Sequence, residues 1–208
     1  MPVHLAINPV TPDPRRVRDA VDVVRAGHVI AYPTDTQYGL GADPRDPAAV
    51  AEVFAIKGRD AARSLPLIAG SFEQAQRTGL FDARARRLAA RFWPGPLTLV
   101  VPQAMSFAAG VAEDGRVALR VPDHALARAL AQELGCALTA TSANRSGAPA
   151  AATADDVAAA LGDLVSCIVD GGAAPGGAPS TIVDVSGGAP RLVRAGAVPW
   201  ERVLESLE

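Results

Sequence analysis

Ala137-Leu138-Thr139-Ala140-Thr141-Ser142-Ala143-Asn144-Arg145-Ser146-Gly147 reads as a short apolar strand that runs straight into a polar turn closed by glycine. Its flanks decide the fold class. Residues 123–134 before it and 153–161 after it carry helical apolar spacing, with Asp123 and Thr153 as candidate N-caps. The alternation continues outward in both directions. Residues 14–26, 46–56, 71–78, 82–92 and 199–207 read as helices. Residues 28–32, 65–69, 97–101, 116–121, 165–169, 181–185 and 190–193 read as strands. Trp93-Pro94-Gly95-Pro96 is a strong break between them. The expectation is an α/β fold: one twisted, mixed, open sheet flanked by helices.

The chain has 208 residues, enough for a single domain over 1–208 with a substantial core. Its residues are 49% hydrophobic, which rules out a disordered or fibrous chain. Only 4% are aromatic and the net charge is −2, so neither stacking platforms nor a global basic field points to nucleic acid. Arg84, Arg87 and Arg91 fall at helical spacing and read as a solvated face. Cys136 and Cys167 lie in apolar stretches and are expected to be buried, reduced and remote from any site. No bilayer-length apolar run and no signal peptide are visible, so a cytoplasmic protein without a membrane partner is expected.

Three segments carry candidate chemistry. Lys57-Gly58-Arg59 lies just past a helix and offers a point charge and a bidentate fork for phosphate, although such a pair is commonly two solvated charges. Thr141, Ser142, Asn144 and Ser146 follow a strand end, where open α/β sheets commonly bind ligands, and also suit an ordinary polar turn. Pro33-Thr34-Asp35-Thr36-Gln37-Tyr38-Gly39-Leu40-Gly41 adds hydroxyls and a carboxylate. Asp35 reads first as a turn cap, with holding Thr36 or reaching a metal-bound water as alternatives. Neither a dinucleotide fingerprint nor a Walker-A loop is present. His4, His28 and His124 are scattered and read as structural or exposed. The glycine-rich segment 170–179 reads as either a lid or a surface connection.

Taken with Trp93-Pro-Gly-Pro-Leu-Thr98, Arg120-Val-Pro122, Ser180-Thr-Ile-Val-Asp184 and Arg194-Ala-Gly196, these segments resemble the YrdC-like threonylcarbamoyladenylate synthases, in family order and over most of the chain. The resemblance is to the short, single-domain members, and it implies a twisted α/β sheet with a concave, locally positive ligand cavity. It implies a nucleotidyltransferase that joins L-threonine, bicarbonate and ATP into threonylcarbamoyl-adenylate and pyrophosphate, with Mg²⁺ on the phosphates. It implies a downstream transferase complex that modifies a tRNA adenosine next to the anticodon, and possible contact with tRNA itself. By motif, Lys57 and Arg59 hold phosphates and carry the catalysis, and Thr141, Ser142, Asn144, Ser146 and Arg194 line the nucleotide site. Thr36, Arg120 and Ser180 meet threonine. No protein metal ligand is implied. Asp60 stands where the family often has proline, and Leu65 and Gly70 replace polar positions. The alternatives are a carbamoyl-adenylate-forming module and a non-enzymatic RNA-binding protein using the same cavity.

Overall fold

Aspartate, serine and threonine side chains start most of the helices. The computed structural model describes residues 1–58 and 64–208. Asp13 caps α1 (Pro14–Arg25) and Asp46 caps α2 (Pro47–Lys57), each followed by proline at the first helical position. Ser71, Asp82 and Thr153 cap α3 (Phe72–Thr78), α4 (Ala83–Phe92) and α6 (Ala154–Leu161), the last in a capping box with Asp156. The cap of α5 (Ala125–Leu134) is His124 rather than the expected Asp123: its imidazole Nδ1 accepts from Ala127 N–H at 3.3 Å. A short α7 (Trp200–Glu205) follows the last strand.

The α/β class is as read from sequence, but the strands divide between two ladders. The first runs β1 (Val3–Ala6), β9 (Cys167–Asp170), β2 (Ile30–Tyr32), β3 (Gly39–Gly41), β8 (Thr141–Ser142). The second runs β11 (Arg191–Arg194), β10 (Thr181–Asp184), β5 (Leu97–Pro102), β6 (Arg116–Arg120), β4 (Leu67–Ile68), β7 (Leu138–Thr139). Both mix parallel and antiparallel pairs. The stretch expected as one strand, 137–141, is where they join: β7 pairs with β4, and after Ala140 the chain changes partner so that β8 pairs with β3. Thr139 stitches the seam, donating Oγ1–H to Leu40 O at 3.0 Å and accepting Ala42 N–H at 2.8 Å.

Two strands escaped the sequence reading. β3 is Gly-Leu-Gly, a composition disfavoured in strands. The structure explains it: a Cβ on Gly41 would lie 2.9 Å from Tyr32 Cε1 and 3.1 Å from Leu138 Cδ2. β1 sits at a sheet edge and is mostly exposed, so it lacks an alternating pattern.

Apolar faces close the structure on both sides. α1 and α5 bury Val17, Val21, Leu126 and Leu130 against Ile30, Tyr32, Cys167 and Val169 of the first ladder. On the second ladder Leu97, Leu99, Val101, Leu119 and Val183 point into the larger core with Ala85 and Leu88 of α4. The period of two then turns Thr98, Val100, Ala118, Arg120, Ile182 and Asp184 to the opposite face.

Candidate functional site

That opposite face floors a cavity of about 1150 Å³. The turn after β2, the end of α2 and the segment 140–147 wall it from the first ladder. Lys57, Thr141, Ser142, Asn144 and Ser146 line one side, and Arg194 reaches in from β11. Thr36, Arg120 and Ser180 line the same cavity. Arg59 and the segment through Arg63 lie outside the described residues.

Lys57 is not the solvated charge that its position suggested. It is the last residue of α2, 4% exposed, and its chain is turned by Gly58 in the left-handed region at φ 62°. Its ammonium donates to Asn144 Oδ1 at 2.6 Å and to Ser142 O at 2.7 Å, with Ser142 Oγ at 3.3 Å. Ser142 Oγ donates to Asn144 Oδ1 at 2.7 Å, and Ser146 N–H closes the turn on Lys57 O at 2.9 Å. A helix end and a polar turn distant in sequence therefore form one bonded unit.

Arg120 lies at the end of β6, and its Nη1–H donates to Asp35 Oδ1 at 2.8 Å. Asp35 is therefore a counter-charge and not the turn cap. The cap is Thr34, whose Oγ1 accepts from the N–H of Thr36 and of Gln37, each at 3.2 Å, and donates to Gln37 O at 2.7 Å. Sequence reasoning passed over Thr34, although a threonine two residues before a backbone N–H is a known turn former. With the Thr34 hydrogen committed to Gln37, the Thr36 hydroxyl 3.1 Å away keeps its own hydrogen for Thr34 or the cavity.

Arg194 donates to Ser180 O at 2.7 Å and to Ser180 Oγ at 3.0 Å, and among the described residues it has no ion pair. Burial, and next the positive charge of Arg120, lower its pKa. Two guanidiniums with one carboxylate between them favour an incoming anion. On the same floor Arg116 and Arg191 share Asp184 Oδ2 at 3.4 and 3.0 Å; Asp184 ends one of the quoted motifs, but the two arginines lie outside them. Tyr38 is no ready base: burial first and Asp170 second push it up to about 12, and its hydroxyl donates to Gly172 O at 2.8 Å. That bond, with Ala174 N–H on Ala152 O at 2.8 Å, ties the segment 170–179 to the body.

Cys136 and Cys167 are unpaired and line no part of the cavity. Cys167 is buried, whereas Cys136 is only partly so, contrary to expectation. Of the helical arginines, Arg84 donates to Gly187 O and Arg87 to Leu207 O. Among the described residues no three His, Cys, Asp or Glu side chains gather as a metal would require, and no helix is long and apolar enough to cross a membrane.

Comparison with known proteins gives this cavity a lineage. The Sua5/YciO/YrdC family model, described as telomere recombination, matches residues 22–196. A Chromohalobacter salexigens protein named threonylcarbamoyl-AMP synthase is 44% identical over 178 residues, covering 83% of this chain and 94% of its own. The crystal structure of Pyrococcus abyssi Sua5 complexed with L-threonine superposes with a TM-score of 0.90 at 34% identity, over 100% of this chain and 61% of that one. This chain therefore spans about three-fifths of the P. abyssi protein. Escherichia coli YciO superposes with a TM-score of 0.87 at 26% identity, over 100% of both chains. With the motifs in order, the ladders superposing and the family model spanning most of its length, the chain belongs to the Sua5/YciO/YrdC family.

Proposed function

We propose that the chain synthesises L-threonylcarbamoyl-adenylate from L-threonine, bicarbonate and ATP, releasing pyrophosphate. The observation that carries this reading is that the bonded Lys57–Ser142–Asn144 unit and the Arg120–Ser180–Arg194 group share one cavity. A reaction between an amino acid and a nucleotide needs both kinds of group within reach of one reacting centre. The names of the relatives and the L-threonine complex of P. abyssi Sua5 support it.

The chemistry needs no protein nucleophile. The threonine amine and carbon dioxide, from bicarbonate, form a carbamate. A carbamate oxygen attacks the α-phosphorus, the bond to the bridging oxygen breaks, and pyrophosphate leaves. The protein's part is to hold two anions at about 3–3.5 Å and to offset their charge. In this reading Arg120 takes the threonine carboxylate, with Thr36 and Ser180 donating beside it. Lys57 fixes the 142–146 turn against the nucleotide, where Thr141, Ser142, Asn144 and Ser146 offer hydrogen bonds, and Arg194 faces the adenylate. Arg59 is assigned to the phosphates by motif. Mg²⁺ enters on ATP as part of the substrate. The product is an activated acyl donor for a tRNA adenosine next to the anticodon, and a cytoplasmic setting and a downstream transferase complex are part of the proposal. Direct contact with tRNA is a further part of the proposal.

The test is incubation with ATP, L-threonine and bicarbonate. Pyrophosphate and the adenylate should form only when all three are present. Pyrophosphate at the same rate without threonine would refute the reading, and selective use of carbamoyl phosphate would point to a carbamoyl-adenylate-forming module instead.

A further inference from the structure

One buried hydroxyl on the cavity floor has no use in the mechanism above. β5 turns Leu97, Leu99 and Val101 into the core and presents Thr98 and Val100 to the cavity. On the floor Thr98 is paired with Ile182, and Val100 beyond it lies between Ala118 and Asp184. Packing alone would be met equally well by valine, which has the shape of threonine. Thr98 is 2% exposed, and a hydroxyl this buried costs stability unless it is bonded.

Its bond is to Ser180 Oγ at 2.8 Å. Ser180 Oγ already accepts from Arg194 Nη2 at 3.0 Å, and a guanidinium only donates. Ser180 then has one lone pair and one hydrogen left. Only one hydrogen can lie on the line between the two hydroxyls. If Thr98 donates, the Ser180 hydrogen is released. If Ser180 donates, the Thr98 hydrogen is released. The pair thus offers a single O–H to the cavity, and an anion near Arg194 selects the direction in which hydrogen bonds reinforce one another.

Resting on the functional reading above, we propose that Thr98 is a positioning residue for the threonine carboxylate. Its hydroxyl donates to Ser180 Oγ, and Ser180, held from the other side by Arg194, aims its own hydrogen at a carboxylate oxygen of the substrate. Thr98 need not touch the substrate.

Thr98→Val keeps the shape and deletes the relay, Thr98→Ser keeps the relay, and Thr98→Ala replaces the valine variant should that one fail to fold. L-threonine binding by calorimetry and pyrophosphate release are measured for each. Thr98→Val should weaken L-threonine binding and raise its KM about tenfold or more, the loss of one hydrogen bond to a charged group. The KM for ATP should stay within about twofold, and Thr98→Ser should restore the threonine KM. Equal threonine affinity in wild type and Thr98→Val overturns the inference alone, as does an equal rise in both KM values. A wild-type chain that binds no L-threonine overturns the functional reading and this inference with it.

Discussion

Arg120 and Asp35 meet at 2.8 Å across the gap between the two ladders, Nη1 on Oδ1, with 8% and 11% of their side chains exposed. Arg120 ends β6 of one ladder, and Asp35 sits in the turn after β2 of the other. The pair therefore closes the cavity at the end where the threonine carboxylate is placed. Asp35 Oδ2 is buried and has no hydrogen-bond partner among the described residues, where the carboxylate is held through Oδ1 by Arg120. A charge kept at that cost implies that the guanidinium must point one way.

Removing the carboxylate leaves a buried cation unpaired, which costs about 3–5 kcal/mol in comparable sites. Asp35→Ala should lose stability of that order in urea denaturation. Binding of L-threonine should weaken as well, because Arg120 is free to turn. A loss under about 1 kcal/mol would mean that water reaches the pair and that it behaves as a surface ion pair.

Lys57 should matter to the fold as well as to the nucleotide. From sequence alone, two charges past a helix would leave stability nearly untouched when deleted. The structure reverses that expectation for Lys57, since its ammonium anchors Asn144 and Ser142 from the end of α2. Lys57→Ala removes charge-assisted bonds to both, worth at most roughly 1.5–3 kcal/mol each, since Asn144 Oδ1 keeps the Ser142 hydroxyl and Ser142 O keeps the Asn144 N–H. A fall in the denaturation midpoint, together with loss of ATP-dependent pyrophosphate release, is the expected pair of results. Loss of activity with an unchanged midpoint would return Lys57 to the role of a simple phosphate contact.

The comparison of sequence and structure turns on what a linear pattern can carry. Helix starts were legible because Asp13, Asp46, Ser71, Asp82 and Thr153 act on N–H groups two or three residues away. The floor of the cavity was legible as separate strands, and a concave cavity was expected only from the family resemblance. What stayed hidden was pairing at long range. Nothing in Pro33–Gly41 says that Asp35 answers Arg120, and nothing in 137–142 says that the ladder changes partner at Ala140. The Gly-Leu-Gly strand was missed because its reason is a close approach of Tyr32 and Leu138, visible only once the strands are side by side. The residues proposed for the site came from family motifs. Thr34 and Thr98 lie in the quoted segments as well, but what they hold is visible only in their hydrogen bonds.

His124 makes the start of α5 sensitive to pH. Its Nδ1 accepts from Ala127 N–H at the start of α5, so the cap requires an unprotonated Nδ1. Burial, the largest influence, lowers its pKa below 6.5; Asp35 and Asp123 pull upward, while Arg128 and Arg120 push down. The unfolded chain therefore takes up the proton more readily than the folded one as pH falls through 6.5. The stabilisation is complete above 6.5 and is lost progressively as pH drops through the folded-state value. Asp43, Asp82 and Asp184 also have lowered pKa values, but they act below the ordinary 3.8 of aspartate and leave this window clear. His124→Asn keeps a favoured N-cap without the titrating ring. Thermal unfolding followed from about pH 8 to about pH 5 should show a decline below 6.5 in the wild type and a flatter profile in the variant. Parallel profiles would place the acid sensitivity elsewhere and leave His124 as a cap indifferent to its charge.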